Sequence, residues 1–306
     1  MCGSVWNQVC ISAWIYGVKN DENNLTEEEK MSVEVRIEPK GFFKKKLTFK
    51  DILPEGMAYG IMDENYRLIP NEKGENTVIY DPERIARGIE VRFENAAAVL
   101  HMNLPTTPEE IQQFYEMTRR VCGLCRAKVF EREGVKTELS EISRWIEQDI
   151  KISTGALEDI FSKAGYKYFT IFGVMNPICL GGKEEEIISN DLQAFGDYLA
   201  EKQSIDAYYA APHVYRHKER EILFGCYAIG EEIVSIVPLK PEIILNQIEG
   251  VEEWYVLLGD GQNNLVRYED FINAVKEKEY YDANHVVVSL SKAEIEEILG
   301  EYRTEL

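Results

Sequence analysis

Three groups of residues in this sequence could do chemistry. The first is Cys122-Gly123-Leu124-Cys125, a C-x-x-C pair. Thiolate is the reactive and metal-binding form of cysteine, and a helix N-terminus stabilises it. Such a pair could be redox-active, or half of a zinc site. The local pattern opposes both. The pair falls near the end of an expected helix, where the dipole disfavours a thiolate. Cys179 and Cys226 stand alone, so no second pair completes a four-ligand set. Spacing by three also places both thiols on the helix's apolar stripe, where free cysteine packs as a small hydrophobe.

The second group is His213 and His217, four apart. On a helix their imidazoles would share a face, but a zincin needs Glu beside the first His. Here Val214-Tyr215-Arg216 intervenes and Pro212 precedes. The segment reads as a strand, on which residues four apart lie roughly 13 Å apart. The third group is Arg84-Ile85-Ala86-Arg87-Gly88-Ile89-Glu90. Two arginines beside a strand start can hold a carboxylate or a phosphate. The competing reading is a structural ion pair with Glu90 or Asp81. Gly88 is expected at a backbone angle that other residues avoid.

Other motifs fail on inspection. Gly181-Gly182-Lys183 lacks the earlier Gly and the following Ser or Thr of a P-loop. Asp260-Gly261-Gln262-Asn263-Asn264 lacks a calcium loop's alternating acids, and Phe271 stands where its bidentate Glu belongs. No G-x-S-x-G occurs, and the four histidines, His101, His213, His217 and His285, come with no recognisable nucleophile. Met1-Cys2-Gly3 suggests an N-terminal cysteine nucleophile, but its continuation, Ser4-Val5-Trp6-Asn7, brings no oriented partner. No catalytic residue, metal ligand set or cofactor is therefore assigned. Arg84, Arg87, Glu90, His213 and His217 stand as binding candidates.

The elements that must position these residues follow from periodicity. Val33, Val35 and Ile37 alternate with charged residues, which marks a strand. Gly88–Phe93 and Ala96–Asn103 read as a hairpin around Glu94-Asn95. Thr107-Pro108-Glu109-Glu110 announces a helix to about Lys128, with Glu110 expected to complete a capping box and Ile111, Phe114, Tyr115, Thr118, Val121, Cys122 and Cys125 as its apolar stripe. Further helices are expected at 138–164, 184–203 and 268–276, and a final one capped by Ser291-Lys292-Ala293-Glu294. Strands are expected at 128–133, 166–175, 206–216, 221–227, 233–238, 253–258 and 285–290. Strands that cluster in hairpins as well as alternating with helices indicate an α+β fold with mixed or antiparallel sheets and packed helices. Repeated strand–helix–strand runs suggest two similar halves, residues 31–165 and 166–306.

Residues 1–30 are expected either to come from an upstream start assignment or to form a loosely held N-terminal extension, with Met31 as the natural start. A secretory signal is disfavoured because no Lys or Arg precedes the apolar residues. The chain has 306 residues, 34 basic and 54 acidic, for a net charge of −20. That charge disfavours nucleic acid and anionic membranes. The only basic run, Lys44-Lys45-Lys46, is short. No apolar stretch reaches a membrane span. Six cysteines in this length are too few for a disulfide scaffold and read as reduced thiols in a cytoplasm.

Asp81-Pro82-Glu83-Arg84-Ile85-Ala86-Arg87-Gly88-Ile89-Glu90, Leu104-Pro105-Thr106-Thr107-Pro108-Glu109-Glu110-Ile111 and Glu147-Gln148-Asp149-Ile150 carry a resemblance. Together they resemble a bacterial family of about this length, described as a domain of unknown function. The resemblance spans most of the chain from Met31. It implies a cytoplasmic bacterial protein and supplies no catalytic residues. The leading expectation is a non-catalytic binding or regulatory protein whose acidic surface meets a basic protein partner. An enzyme with a site built from scattered residues is the alternative. A thiol redox or metal-binding protein using Cys122 and Cys125 is the third.

Overall fold

The structure, a computed structural model, describes residues 6–8, 32–40, 47–63, 68–74, 77–162, 168–243, 248–261 and 263–306. The chain divides into two compact units. The larger is Gly17–Ser204; the smaller joins Met1–Tyr16 to Ile205–Leu306. The division lies after Ser204. The boundary expected at residue 165 falls among residues 163–167, outside the described residues. So do Cys2, Lys44-Lys45-Lys46 and all of the proposed extension except Trp6–Gln8.

In chain order, β1 (Trp6–Gln8) belongs to the smaller unit. The larger unit then carries β2 (Ser32–Ile37), α1 (Phe49–Ile52), β3 (Ala58–Met62), β4 (Leu68–Pro70), β5 (Thr77–Tyr80), β6 (Ile89–Glu94) and β7 (Ala97–Asn103). It continues with α2 (Pro108–Cys125), β8 (Val129–Arg132), β9 (Val135–Glu138), α3 (Ile142–Ser162), β10 (Phe169–Phe172), β11 (Pro177–Leu180), α4 (Gly182–Ile188) and α5 (Leu192–Gln203).

Its main sheet has the order β4-β3-β5-β6-β7-β2-β8-β9. Every pairing in it is antiparallel. The period-two pattern of β2 is seen directly: Val33, Val35 and Ile37 are buried, while Ser32, Glu34 and Arg36 are not. The buried face shares one core with Ile111, Phe114, Tyr115, Val121, Cys122 and Cys125 of α2 and with Ile142 of α3. Each large side chain so buried contributes roughly 1.5–3 kcal/mol.

The start of α2 follows the sequence in part. The Thr107 hydroxyl accepts from the Glu110 N–H at 3.1 Å, and Pro108 takes the first helical position. The Glu110 carboxylate does not turn back to the cap, as a full box would require. The N–H groups of Arg87 and Gly88 and the Thr106 hydroxyl take it instead. The expected helix over 184–203 is two helices. Ser189 (φ 47°) and Asn190 (φ 58°) adopt left-handed backbone, and the Asp191 side chain then caps α5 by accepting from Gln193 N–H at 2.8 Å. Instead of one strand over 166–175, the described residues form the β10–β11 hairpin.

The smaller unit contains β12 (Tyr208–Tyr209), β13 (His213–His217), β14 (Leu223–Ile229), β15 (Ser235–Pro238), β16 (Val251–Leu258), β17 (Leu265–Arg267), α6 (Tyr268–Ala274), β18 (Glu279–Tyr280), β19 (His285–Val288) and α7 (Lys292–Tyr302). Its sheets run β1-β13-β14-β16-β17 and β12-β15-β19-β18. The β14–β16 and β12–β15 pairings are parallel, so both sheets are mixed. The expected strand over 206–216 splits into β12 and β13 around Ala210-Ala211-Pro212, because proline cannot donate to a ladder. At α7 the capping box is complete, with Ser291 and Glu294 bonded reciprocally. The fold is α+β with hairpins, antiparallel and mixed sheets, and helices packed on them. The strand orders of the two units differ.

Candidate functional site

The Arg84–Glu90 segment joins β5 to β6 in the larger unit. Gly88 has φ +78°, in the region that favours glycine. A Cβ there would lie 2.5 Å from Val78 Cγ1 and 2.7 Å from Val174 Cγ2. This tight approach lets the Gly88 N–H donate to Glu110 Oε1 at 2.6 Å, while Arg87 N–H reaches Oε2 at 3.3 Å. The Thr106 hydroxyl also donates to Glu110 Oε2. Burial pushes the Glu110 carboxyl above its ordinary range, opposed by these donors and by the nearby Arg87 charge.

The three candidates in this segment diverge. The Arg87 guanidinium donates to the Phe172 carbonyl at 3.0 Å and the Pro105 carbonyl at 3.1 Å. Arg84 pairs with Asp197 at 2.8 Å and faces Glu109 at 4.0 Å, so its counterions come from α5 and α2 rather than from Glu90 or Asp81. Glu90 sits on β6 opposite His101, whose Nδ1 lies 3.9 Å from Glu90 Oε2. Arg84 and Arg87 thus tie the β5–β6 connection to its neighbours, and Glu90 faces another part of the unit.

Cys122 and Cys125 are buried on α2, within the main core. Burial pushes the Cys122 thiol up to about 12 and raises that of Cys125. A thiol in that range carries little thiolate at neutral pH.

His213 and His217 lie at the two ends of β13. His217 is buried, and its Nδ1 accepts from the N–H groups of Glu219 and Arg220, both at 3.2 Å. An imidazole accepting at Nδ1 carries its proton on Nε2, which leaves neither nitrogen with a lone pair for a metal. His217 therefore holds the β13–β14 turn. His213 rests beside the Tyr215 ring, with centroids 6.4 Å apart.

Two polar centres escaped the sequence reading. In the larger unit, the Tyr115 hydroxyl donates to Asp149 Oδ2 at 2.6 Å. Arg132 pairs with Asp149 Oδ1 at 2.5 Å and donates to the Tyr115 oxygen at 3.1 Å. The guanidinium carbon lies 4.2 Å from the Trp145 ring centre. Asp149 is fully buried, and burial raises its carboxyl against the pull of Arg132. Asp149 belongs to a resemblance segment and Tyr115 to the apolar stripe, so each was visible, but no spacing joins them to Arg132.

In the smaller unit, Asp282 Oδ1 lies 2.8 Å from His285 Nδ1 and also accepts the N–H groups of Asn284 and His285. A carboxylate there places the ring proton on Nδ1, so Nε2 accepts from the Tyr209 hydroxyl at 2.9 Å. This carboxylate–imidazole–phenol relay has the geometry of a general-base assembly. Asp282 is 0%, His285 1% and Tyr209 8% exposed. The Asp-x-x-His spacing was the available signal; Tyr209 lies 76 residues away.

The smaller unit also has a cleft of about 290 Å³ between α6 and α7. Val275, Leu290, Ile298 and Tyr302 line it together with Glu294, Glu297 and Glu301. Lys276 follows α6, and its Nζ lies 2.8 Å from both Glu297 carboxylate oxygens.

No helix among the described residues is long and apolar enough to cross a membrane. Residues 32–298 match a family model described as Domain of unknown function (DUF4299), which bears out the resemblance carried by the segments at 81–90, 104–111 and 147–150. No curated protein and no solved structure matches the chain.

Proposed function

Because the chain belongs to the family of the domain of unknown function DUF4299, whose description assigns no activity, we propose from charge and geometry that it is a non-catalytic cytoplasmic binding or regulatory protein whose acidic surface meets a basic protein partner. The observation that carries this reading is where the charge lies. Residues 205–306, one third of the chain, hold 20 acidic and 9 basic residues, more than half of the net −20. Such a field steers oppositely charged partners and repels phosphate backbones.

The polar centres support the same reading by their burial. Asp149, Asp282 and His285 are each at most 1% exposed, and Arg84 and Arg87 are engaged with neighbouring groups. An enzyme is the second reading, and the relay is what favours it. Native mass spectrometry of protein purified gently at low salt separates the two. A stoichiometric basic protein, released as salt rises, is the expected result. A retained small molecule or metal without a protein partner would move the assignment to an enzyme.

A further inference from the structure

We propose that the α6–α7 cleft of the smaller unit is the docking site for a basic segment of a partner protein, with one arginine side chain of that segment seated in it. This rests on the binding reading above and names its site.

Size sets the class of occupant. At about 290 Å³ the cleft is at the bottom of the range of roughly 300–1,000 Å³ that small-molecule and cofactor sites occupy. It suits a single long side chain. Its lining has two characters. Val275, Leu290 and Ile298 form an apolar floor, each 2–5% exposed, and the half-buried Tyr302 adds an aromatic surface on which a guanidinium can rest. Glu294, Glu297 and Glu301, spaced by three and four, share one face of α7 and supply carboxylates.

Two of the carboxylates are already held in position. Ser291 donates to Glu294 Oε2 through both its hydroxyl and its N–H, and Lys276 engages both oxygens of Glu297. An occupant would pay little to order them. Lys276 shows the chemistry within the chain itself, since its ammonium reaches over from the end of α6 to both oxygens of Glu297. The Lys276 and Glu297 side chains are 66% and 60% exposed, so the pair is weak and open to displacement. Three carboxylates against one ammonium leave the cleft with an excess of negative charge. Arginine fits that excess better than lysine, because its planar fork binds carboxylates in pairs and sheds water more readily.

The test uses the full chain and a short fluorescein-labelled peptide alternating arginine and alanine, read by anisotropy at about 50 mM salt, where surface charges are only partly screened. A matched peptide carries citrulline in place of arginine. The arginine peptide is expected to bind and the citrulline peptide to fail. Glu297→Gln with Glu301→Gln should weaken binding about fivefold or more, as expected for loss of charge pairs at an interface. Glu219→Gln with Glu252→Gln makes the same charge change at exposed positions of the same unit and should alter binding by less than about twofold. Lys276→Ala should tighten binding about threefold beyond any effect of Lys218→Ala, because it removes the resident competitor. Circular dichroism confirms that each variant is folded.

The cleft assignment is overturned if the two acidic pairs weaken binding equally, or if Lys276→Ala does no more than Lys218→Ala. Either result leaves diffuse acidic attraction intact as a reading. If wild-type protein fails to bind the arginine peptide at all, the cleft assignment and the acidic-surface reading fall together.

Discussion

Glu110 concentrates the residue-scale argument, because three donors and a buried carboxyl meet on one side chain. Burial holds its folded pKa above the ordinary value, so the folded state binds a proton that the unfolded state has already released. Stability from this group is full below the unfolded pKa and is lost as pH rises through the raised folded one. Glu110→Gln abolishes that titration. Urea unfolding at a series of pH values should therefore show the wild type's advantage over the variant shrinking as pH rises from about 4. An advantage that grew with pH would mean that the donors hold the ionised form more firmly than burial opposes it. Asp149 gives a second residue-scale expectation. Asp149→Ala leaves Arg132, whose side chain is 10% exposed, without its carboxylate, at a cost of about 3–5 kcal/mol. Replacing Arg132 and Asp149 together by Met and Leu should cost much less, since neither charge is then stranded. Equal losses in the two variants would show that packing around Asp149 matters more than its charge. Both expectations concern residues whose types were legible in the sequence but whose partners were not. Glu110 was expected to serve its own helix cap, and it serves Gly88, 22 positions away. Tyr209 and His285 meet across 76 positions. Chain spacing reports neighbours within an element, whereas these contacts are made by packing between elements far apart in the chain.

At the scale of elements, local rules were reliable wherever one period or one cap decides the outcome. The alternation of β2, the stripe of α2 and the Ser291–Glu294 box of α7 were all readable from the chain and are all present. Breaks were missed where a few residues turn left-handed. Ser189 and Asn190 interrupt an apolar pattern that itself continues through Ile188, Leu192 and Phe195. The pattern hides the break because both helices bury their stripes in one core. A related turn gives an element-scale test. Asn95 (φ 49°) and Ala96 (φ 80°) form the β6–β7 connection with both residues at positive φ, as a type I′ turn requires. Asn tolerates that region, but Ala pays about 1–2 kcal/mol for it. Ala96→Gly should stabilise the hairpin by about 1 kcal/mol, after allowing for glycine's greater freedom when unfolded. A rise in Tm of about 2–4 °C is the expected reading. A fall would show that the Ala96 methyl makes a contact worth more than the strain.

Over the whole molecule, charge was the most legible property, and it carries the last expectation. A net −20 repels itself most when the chain is compact, so part of the folding free energy opposes that repulsion. Screening should relieve it. The Debye length falls from about 30 Å at 0.01 M salt to about 8 Å at 0.15 M. Tm should therefore rise across that interval, although salt also weakens favourable surface pairs such as Arg220–Glu253. The two effects separate by location. Residues 205–306 carry an excess of 11 acidic residues in one third of the chain, while the rest carries an excess of 9 in two thirds. In the larger unit, moreover, Arg92 and Arg36 engage Glu34 and Glu94 across the open face of the sheet. Hydrogen exchange followed by mass spectrometry should accordingly show salt slowing amide exchange more in 205–306 than in the larger unit. Equal slowing would mean that the acidic excess acts as one diffuse field. Faster exchange in 205–306 would mean that its ion pairs outweigh its repulsion, and an oppositely charged partner would then gain little by neutralising it.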